Sequence, residues 1–158
     1  MTLGSLIVNS TSTRAATLGT AGNPFSLTTQ TDAINGRKYT SVFTASNRTY
    51  VDTTPVGRKA TTVLDSLERI SSAQFGTLLP IQYVYDTHGR LSTATQGTRK
   101  TTFTCNTSGF LASVTDPLNL TVSLTCDADG HVLSETLADG RIIHFAYDTA
   151  GTPPRRDT

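Results

Sequence analysis

A segment with a turn-forming sequence recurs along this chain every 20 or 21 residues. The clearest copy is Tyr85-Asp86-Thr87-His88-Gly89-Arg90-Leu91, and related segments begin at Leu64, Cys105, Cys126 and Tyr147. A fixed period of this length is typical of repeat proteins, in which each unit is one supersecondary element that packs on its neighbours. The chain is therefore predicted to fold as an array of small, similar units.

Each period contains a second turn signal between these segments. Examples are Asn35-Gly36, Pro55-Val56-Gly57 and Asp139-Gly140. These residues indicate turns because they readily adopt the positive φ angles that reverse a chain. Between the turns, apolar and polar residues alternate, as over residues 119–126, and this period of two indicates half-buried strands. About twelve strands are predicted, over residues 27–34, 37–45, 47–54, 58–65, 69–75, 78–86, 89–95, 98–106, 109–115, 119–127, 131–138 and 141–148.

The composition favours the same fold class. The chain has 31 Thr and 14 Ser among its 158 residues, and β-branched Thr is enriched in strands. The prediction is an all-β, repetitive antiparallel β-hairpin array that forms a curved strip or partial β-shell, without long helices. Residues 1–21 are expected to be a loosely ordered Ser/Thr-rich lead, residues 22–151 the repeat array, and residues 152–158 a frayed tail.

The charge balance excludes one class of function. Thirteen Lys and Arg residues stand against twelve Asp and Glu residues, a formal charge of +1, whereas a nucleic-acid binder driven by charge needs a strong excess of cations. No apolar run approaches about 18 residues, so no membrane span is expected, and the first ten residues lack the pattern of a secretory signal. Cys105 and Cys126 hold the same position in adjacent repeats, about 9–10 Å apart by strand spacing, which is too far for a disulfide.

The recurring unit Tyr-Asp-x-x-Gly-Arg-Leu resembles the YD repeat of the Rhs family. The resemblance covers roughly residues 22–151, and Tyr85 to Leu91 match it fully, whereas Cys105 and Cys126 replace the signature Tyr. The residues that carry the repeat signature are Tyr85, Asp86, Gly89, Arg90, Leu91, Gly109, Gly130, Tyr147, Asp148 and Gly151.

The resemblance implies a structural function. Long YD arrays spiral into a hollow β-shell, and in bacterial members the shell encloses a C-terminal toxin. This chain would then be a non-catalytic piece of shell wall, with other Rhs repeats and a toxin or effector polypeptide as its partners. The family also suggests a bacterial protein that is exported or associated with the cell surface. Neither a toxin domain nor a self-cleavage segment is recognisable in the sequence, and about six repeats are too few to close a shell.

The sequence offers little for catalysis, metals or cofactors, and none of the three is expected. His88 and His131 fall in or just after equivalent turns, two strands apart, and His144 falls within a strand, so the three are not placed to bind one metal ion. The segment Asp127-Ala128-Asp129-Gly130 lacks the further acidic ligands of a calcium loop. Motifs for nucleophilic serines, phosphate-binding loops and zinc proteases are missing.

The charged residues sort by the turn that they flank, which makes a candidate basic contact rim. Its seven cations are Arg37, Lys38, Arg58, Lys59, Arg99, Lys100 and Arg141. Six acids flank the Tyr-Asp turns instead. Two interpretations stay open: each charge pairs within its own turn, or the two edges of the strip are complementary surfaces along which successive windings of a shell stack.

The aromatic residues also allow two interpretations. Tyr39, Phe43, Tyr83 and Tyr85 fall on second strands of the repeat with matching parity, as residues that pack neighbouring hairpins together would. A platform on which sugars stack is the other interpretation. It corresponds to the alternative function, a cell-surface module that recognises glycans or another protein. In either case the isolated chain is expected to self-associate through its open strand edges.

Overall fold

The computed structural model describes residues 8–18 and 25–147, and in these ranges the chain is all-β. It forms thirteen strands: β1 Ser10–Leu18, β2 Phe25–Ile34, β3 Arg37–Thr44, β4 Thr49–Thr53, β5 Lys59–Leu64, β6 Ile70–Phe75, β7 Ile81–Tyr85, β8 Leu91–Gln96, β9 Arg99–Cys105, β10 Leu111–Thr115, β11 Thr121–Cys126, β12 Val132–Thr136 and β13 Ile142–His144. The one helical element described is a single 3-10 turn, Ala45–Asn47. The predicted fold class is confirmed, and each of the twelve predicted strands overlaps one of β2 to β13.

Strand β1 lies where the sequence predicted a loose lead, so that expectation is wrong over Ser10–Leu18. The strand pairs antiparallel with β2 along its whole length, from Ser10 opposite Ile34 to Leu18 opposite Phe25. All nine of its residues are exposed. Its polar, Thr-rich sequence therefore carries no alternation of apolar residues from which a strand could be recognised, and the backbone ladder to β2 holds it in place.

The chain divides into two compact units, Met1–Gln82 and Tyr83–Thr158. In the first, strands β1 to β6 follow one another in chain order, and each pairs antiparallel with the next. Residues Ile81 and Gln82 of β7 add to β6. In the second unit, β8 to β13 follow the same rule. Each unit is therefore a row of hairpins.

Seven of the hairpins share one five-residue turn. Its first residue accepts a backbone hydrogen bond from the fourth and donates one to the carbonyl of the fifth, as Asp86 does with Gly89 (3.0 Å) and Arg90 (2.8 Å). The fourth residue always has a positive φ: Gly57, Glu68, Gly89, Gly109, Asn119, Gly130 and Gly140. This is the three-residue hairpin loop that ends in a left-handed residue, and it explains why Gly recurs with the predicted period.

Glu68 is the exception that tests this turn. It holds φ +60°, which costs an L-residue with a Cβ roughly 1–2 kcal/mol and costs Gly little. We expect Glu68→Gly to raise the free energy of unfolding by about 1 kcal/mol, measured by urea denaturation. Glu68→Ala is the matched control, because it removes the same carboxylate and keeps the strained Cβ. An equal gain from both variants would show that charge, not backbone strain, is what Glu68 contributes.

Neither unit has a hydrophobic core of its own. Within residues 8–18 and 26–147, no side chain is buried, whether apolar or polar. Burial alternates along β4, β7 and β11, where Leu124 and Cys126 are half-buried and Ser123 and Thr125 are exposed, whereas all six residues of β8 are half-buried. The covered face, however, is covered only by neighbouring side chains of the same sheet. A lone sheet layer normally buries one face against a second layer, and no described element supplies it.

The two cysteines behave as predicted. Cys105 and Cys126 are both free thiols and both half-buried. Cys105 closes β9 opposite Leu111, and Cys126 closes β11 opposite Val132, so each pairs with a different strand. They fill the position that Tyr85 holds at the end of β7.

Candidate contact rim and adjoining groove

The signature Asp of the repeat closes its own turn. Oδ1 of Asp86 accepts hydrogen bonds from the backbone N–H groups of His88 and Arg90, both at 2.9 Å. Its Oδ2 accepts a hydrogen bond from Nε of Arg90 at 2.7 Å. The backbone N–H of Arg90 is the main reason that the pKa of Asp86 lies below its ordinary value. Asp86 and Arg90 of the motif thus close and stabilise their own turn.

Two other turns repeat this arrangement. Asp65 accepts from the backbone of Leu67 and Arg69 and from Nε of Arg69. Asp127 accepts from the backbone of Asp129 and His131, and Oδ2 lies 3.0 Å from Nδ1 of His131, which takes the place of Arg. The sequence interpretation of local pairing is what the structure shows for these acids.

The other signature residues are structural as well. Gly109 and Gly130 have φ angles of +94° and +90°, and Tyr85 and Leu91 are half-buried strand ends. The ring of Tyr147 lies 5.1 Å from that of His131, and its hydroxyl donates to the carbonyl of Val132 at 2.9 Å. The remaining two signature residues, Asp148 and Gly151, lie outside the described residues.

Acid should weaken these turns. The pKa values of Asp65, Asp86 and Asp127 are all lowered from 3.8 in the folded chain, by backbone hydrogen bonds in the first two and chiefly by the His131 side chain in the third. A lowered folded pKa means that the contribution to stability is complete above the unfolded value and is lost as the pH falls through the folded value. We therefore expect the free energy of unfolding to decrease as the pH is lowered below about 3.8.

The matched variant for this test is already present in the chain. Asn106 holds the position of Asp86 in its own turn, and its Oδ1 accepts the backbone N–H of Phe110 at 2.9 Å. Asp86→Asn should therefore keep the turn and reduce the pH dependence of unfolding between pH 5 and pH 2. An unchanged acid profile in Asp65→Asn, Asp86→Asn and Asp127→Asn together would contradict the assignment to these carboxylates.

The seven cations of the basic rim lie at alternate turns. In an antiparallel row of hairpins, alternate turns project from the same end of the strands. In the first unit this end carries Arg37 and Lys38 after the β2–β3 turn, and Arg58 and Lys59 after the β4–β5 turn. In the second unit the equivalent end carries Arg99 and Lys100 after the β8–β9 turn, and Arg141 after the β12–β13 turn. All seven side chains are exposed.

The rim cations and the Arg residues of the Tyr-Asp turns differ in whether they form ion pairs. Nε of Arg141 lies 2.7 Å from Oδ2 of Asp139. None of the other six rim cations forms an ion pair with a described residue, whereas Arg69 and Arg90 are both paired with the Asp of their own turn. Among the described residues, the rim therefore carries mostly unpaired cations, whereas Asp65, Asp86 and Asp127 of the Tyr-Asp turns are each paired within their own turn.

A groove opens beside the rim in the first unit. Its floor is one lateral row of cross-strand partners, Ser41 on β3, Asp52 on β4, Ala60 on β5 and Phe75 on β6. Together with their neighbours these residues enclose about 880 Å³. The aromatic rings on either side are largely open to solvent, since Tyr39 is 42% exposed and Phe75 is 61% exposed. We call this cavity the unit-1 groove.

The charged side chains that line the unit-1 groove differ in whether they have hydrogen-bond or ion-pair partners. Arg58 and Lys59 lie at its mouth, and neither forms an ion pair in the described part of the chain. Asp32 is engaged, because hydrogen bonds from Ser12 and Gln30 lower its pKa, the one from Gln30 at 3.0 Å. Asp52 has no such partner among residues 8–18 and 25–147. Because Ser12 and Gln30 are neutral donors, Asp32 keeps its negative charge, and two cations and two carboxylates line the groove.

Sequence reasoning did not predict the groove. The groove exists because small residues, Ser41 and Ala60, lie opposite Asp52 in a row between Tyr39 and Phe75. Which residues share a row depends on the register of three strand pairs, and the sequence predicts strand bounds only to within a few residues. The one available signal was the small side chain of Ala60 directly after the two cations.

One cluster in the second unit has a composition seen in metal sites. Ligand atoms of Asp127, Asp129 and His131 lie within 4.8 Å of one another. Both oxygens of Asp127 are already used, Oδ1 by two backbone N–H groups and Oδ2 by His131. The turn itself therefore accounts for this cluster.

Two further observations bear on function. Among the residues that the structure describes, there is no helix with the length and hydropathy needed to cross a membrane. No protein-family model matches the chain, and a search of the curated proteins found no match either.

Proposed function

We propose that this chain is a non-catalytic structural repeat segment of the YD type, and that it contributes wall to a β-shell that encloses a toxin or effector polypeptide. The observation that supports this most is the missing core. No side chain in residues 8–18 and 26–147 is buried, although the sheet carries many large apolar side chains. Such a sheet gains its apolar burial from partners.

The exposed apolar side chains extend along both units. The largest exposed fractions within the strands belong to Leu18 (75%), Phe75 (61%), Ile142 (55%) and Val84 (55%). Contiguous exposed apolar surface on a soluble protein usually marks an interaction site. In a shell wall, one face of the sheet would pack on the enclosed polypeptide, and neighbouring repeats would continue the ladder beyond β13.

The pairing of charges refines how windings of such a shell would contact one another. Six of the seven rim cations form no ion pair with a described residue, whereas Asp65, Asp86 and Asp127 are each paired within their own turn. The rim cations would therefore take their carboxylates from an adjacent winding or from the enclosed polypeptide.

Genomic context and protease protection test this proposal. The DNA that flanks the reading frame should encode further repeats or a toxin with an immunity protein. The adjacent polypeptide, co-expressed with this chain and its neighbouring repeats, should resist protease, and should lose that resistance when expressed without them. Equal cleavage with and without the repeats would contradict the shell function.

The alternative, a recognition module for glycans or a cell-surface protein, is supported by one observation. Tyr39 and Phe75 present open rings on either side of the unit-1 groove, and sugars stack on such rings. A glycan array would test it, with Tyr39→Ala and Phe75→Ala as variants that should lose any specific signal.

A further inference from the structure

We propose that the unit-1 groove binds an extended polypeptide segment in which apolar and acidic side chains alternate. This inference rests on the proposed function, because it names the chemistry of the polypeptide that the wall would hold. It adds a location, a binding mode and a charge requirement, none of which follows from the repeat motif.

The floor of the groove suits an extended chain. Ser41, Asp52 and Ala60 stand opposite one another on three adjacent strands, and adjacent strands lie about 4.8 Å apart. Phe75 closes the row on β6, and Tyr39 lies two residues before Ser41 on the same face of β3. Small floor residues between two open rings leave room for the side chains of a segment that crosses the strands.

The apolar character of the lining decides between ligand classes. Most of the surface that faces the groove is carbon, from Phe75, Tyr39, Ala60 and the methyl groups of threonines. A sugar needs several polar groups to satisfy its hydroxyls, and the polar side chains of the lining present only a small part of its surface. Apolar side chains of a polypeptide need no such partners, so the lining favours a polypeptide.

The charged side chains at the mouth of the groove determine which charge its ligand should carry. Arg58 and Lys59 line the groove, Arg37 and Lys38 adjoin Tyr39 at the same end of the strands, and none of the four has an ion-pair partner among the described residues. Asp32 and Asp52 also line the groove, so the four cations at this end stand against two carboxylates, an excess of two positive charges. A ligand with carboxylates beside its apolar residues complements this arrangement, and its binding should weaken as salt screens the charges.

Fluorescence anisotropy with short labelled peptides tests the inference on the intact chain. A peptide in which Glu and Leu alternate should bind at low salt. A Lys–Leu peptide should bind at least about tenfold more weakly, which tests the charge, and a Glu–Ser peptide should do the same, which tests the apolar contribution. Equal binding of the Glu–Leu and Lys–Leu peptides would overturn the proposal, and so would a specific glycan-array signal without binding of the Glu–Leu peptide.

Variants locate the binding site. Arg58→Glu with Lys59→Glu should abolish binding of the Glu–Leu peptide, and Ala60→Trp should reduce it at least tenfold by filling the floor. Arg99→Glu with Lys100→Glu is the matched control, since it reverses two exposed cations after the turn of another hairpin that does not line the groove. Circular dichroism must show the same all-β spectrum in every variant. Equal loss in the control pair would overturn the assignment to the groove.

Peptide binding and protease protection together distinguish a failure of the groove proposal from a failure of the proposed shell function. If the Arg58→Glu and Lys59→Glu variant no longer binds the peptide but still protects the adjacent polypeptide from protease, the shell function stands and the groove is not where its cargo binds. If neither the original chain nor any variant protects that polypeptide, yet the Glu–Leu peptide binds only where the groove is intact, the shell function fails and the groove stands.

Discussion

Gly130→Ala is expected to destabilise the second unit by about 2–5 kcal/mol. Gly130 closes the β11–β12 turn with φ +90°, and a Cβ built on it would lie 2.6 Å from Cε1 of Phe110. The left-handed backbone costs an Ala residue about 1–2 kcal/mol, and forcing the ring of Phe110 aside adds the roughly 1–3 kcal/mol that is typical of overpacking. Urea denaturation of the original chain and the variant measures the sum.

A second glycine of the same unit provides a control that separates the cost of the left-handed backbone from the cost of displacing the Phe110 ring. Gly140 has φ +85°, and no atom lies within 4 Å of a Cβ built there, so Gly140→Ala should lose only the backbone contribution, about 1–2 kcal/mol. Adding Phe110→Ala to Gly130→Ala should remove the clash and bring the two glycine variants to the same cost. If Gly130→Ala and Gly140→Ala are equally destabilising from the start, the ring of Phe110 moves away freely and the close approach has no energetic consequence.

The hairpins could be predicted from sequence because their signals are local. Each turn needs a residue that tolerates positive φ at its fourth position and an Asp, Asn or Thr that caps it, so Asp86 with Gly89 or Asp127 with Gly130 reveals both the turn and the strands on either side. Glu68 shows the limit of this reasoning. Its turn is formed by Asp65 and Arg69, and the strained φ of Glu68 is tolerated because those contacts hold the loop.

What depends on contacts between strands could not be predicted in the same way. The sequence of β1 shows no alternation of large apolar and polar residues, and its pairing with β2 is what identifies it as a strand. The unit-1 groove requires Ser41, Asp52 and Ala60 to share one row, which a shift of one residue in any pair would undo. Only the structure shows that, of the seven rim cations, Arg141 alone forms an ion pair with a described residue, since the sequence places Asp52 as close to the rim as Asp139.

The isolated chain is expected to self-associate through β1, and two prolines should suppress this association. Asn9 accepts a hydrogen bond from the backbone of Asn35 at 2.8 Å, so its carbonyl faces β2. Because backbone groups alternate in direction along an antiparallel strand, the N–H groups of Ser12, Arg14 and Ala16 face away from β2 and are open to another chain. An edge strand of nine exposed residues with one charge, Arg14, is a template for pairing.

Sedimentation velocity at rising protein concentration measures this association. The original chain should form dimers and larger species. Ser12→Pro with Ala16→Pro removes two outward N–H groups and no bond of the β1–β2 ladder, so this variant should remain monomeric at the concentrations where the original chain associates. Ser12→Val with Ala16→Val is the matched control, because it keeps both N–H groups and should associate at least as strongly. Association that persists in the proline variant would show that the chains meet through their uncovered sheet faces, where Phe75 and Ile142 are exposed, rather than through the edge of β1.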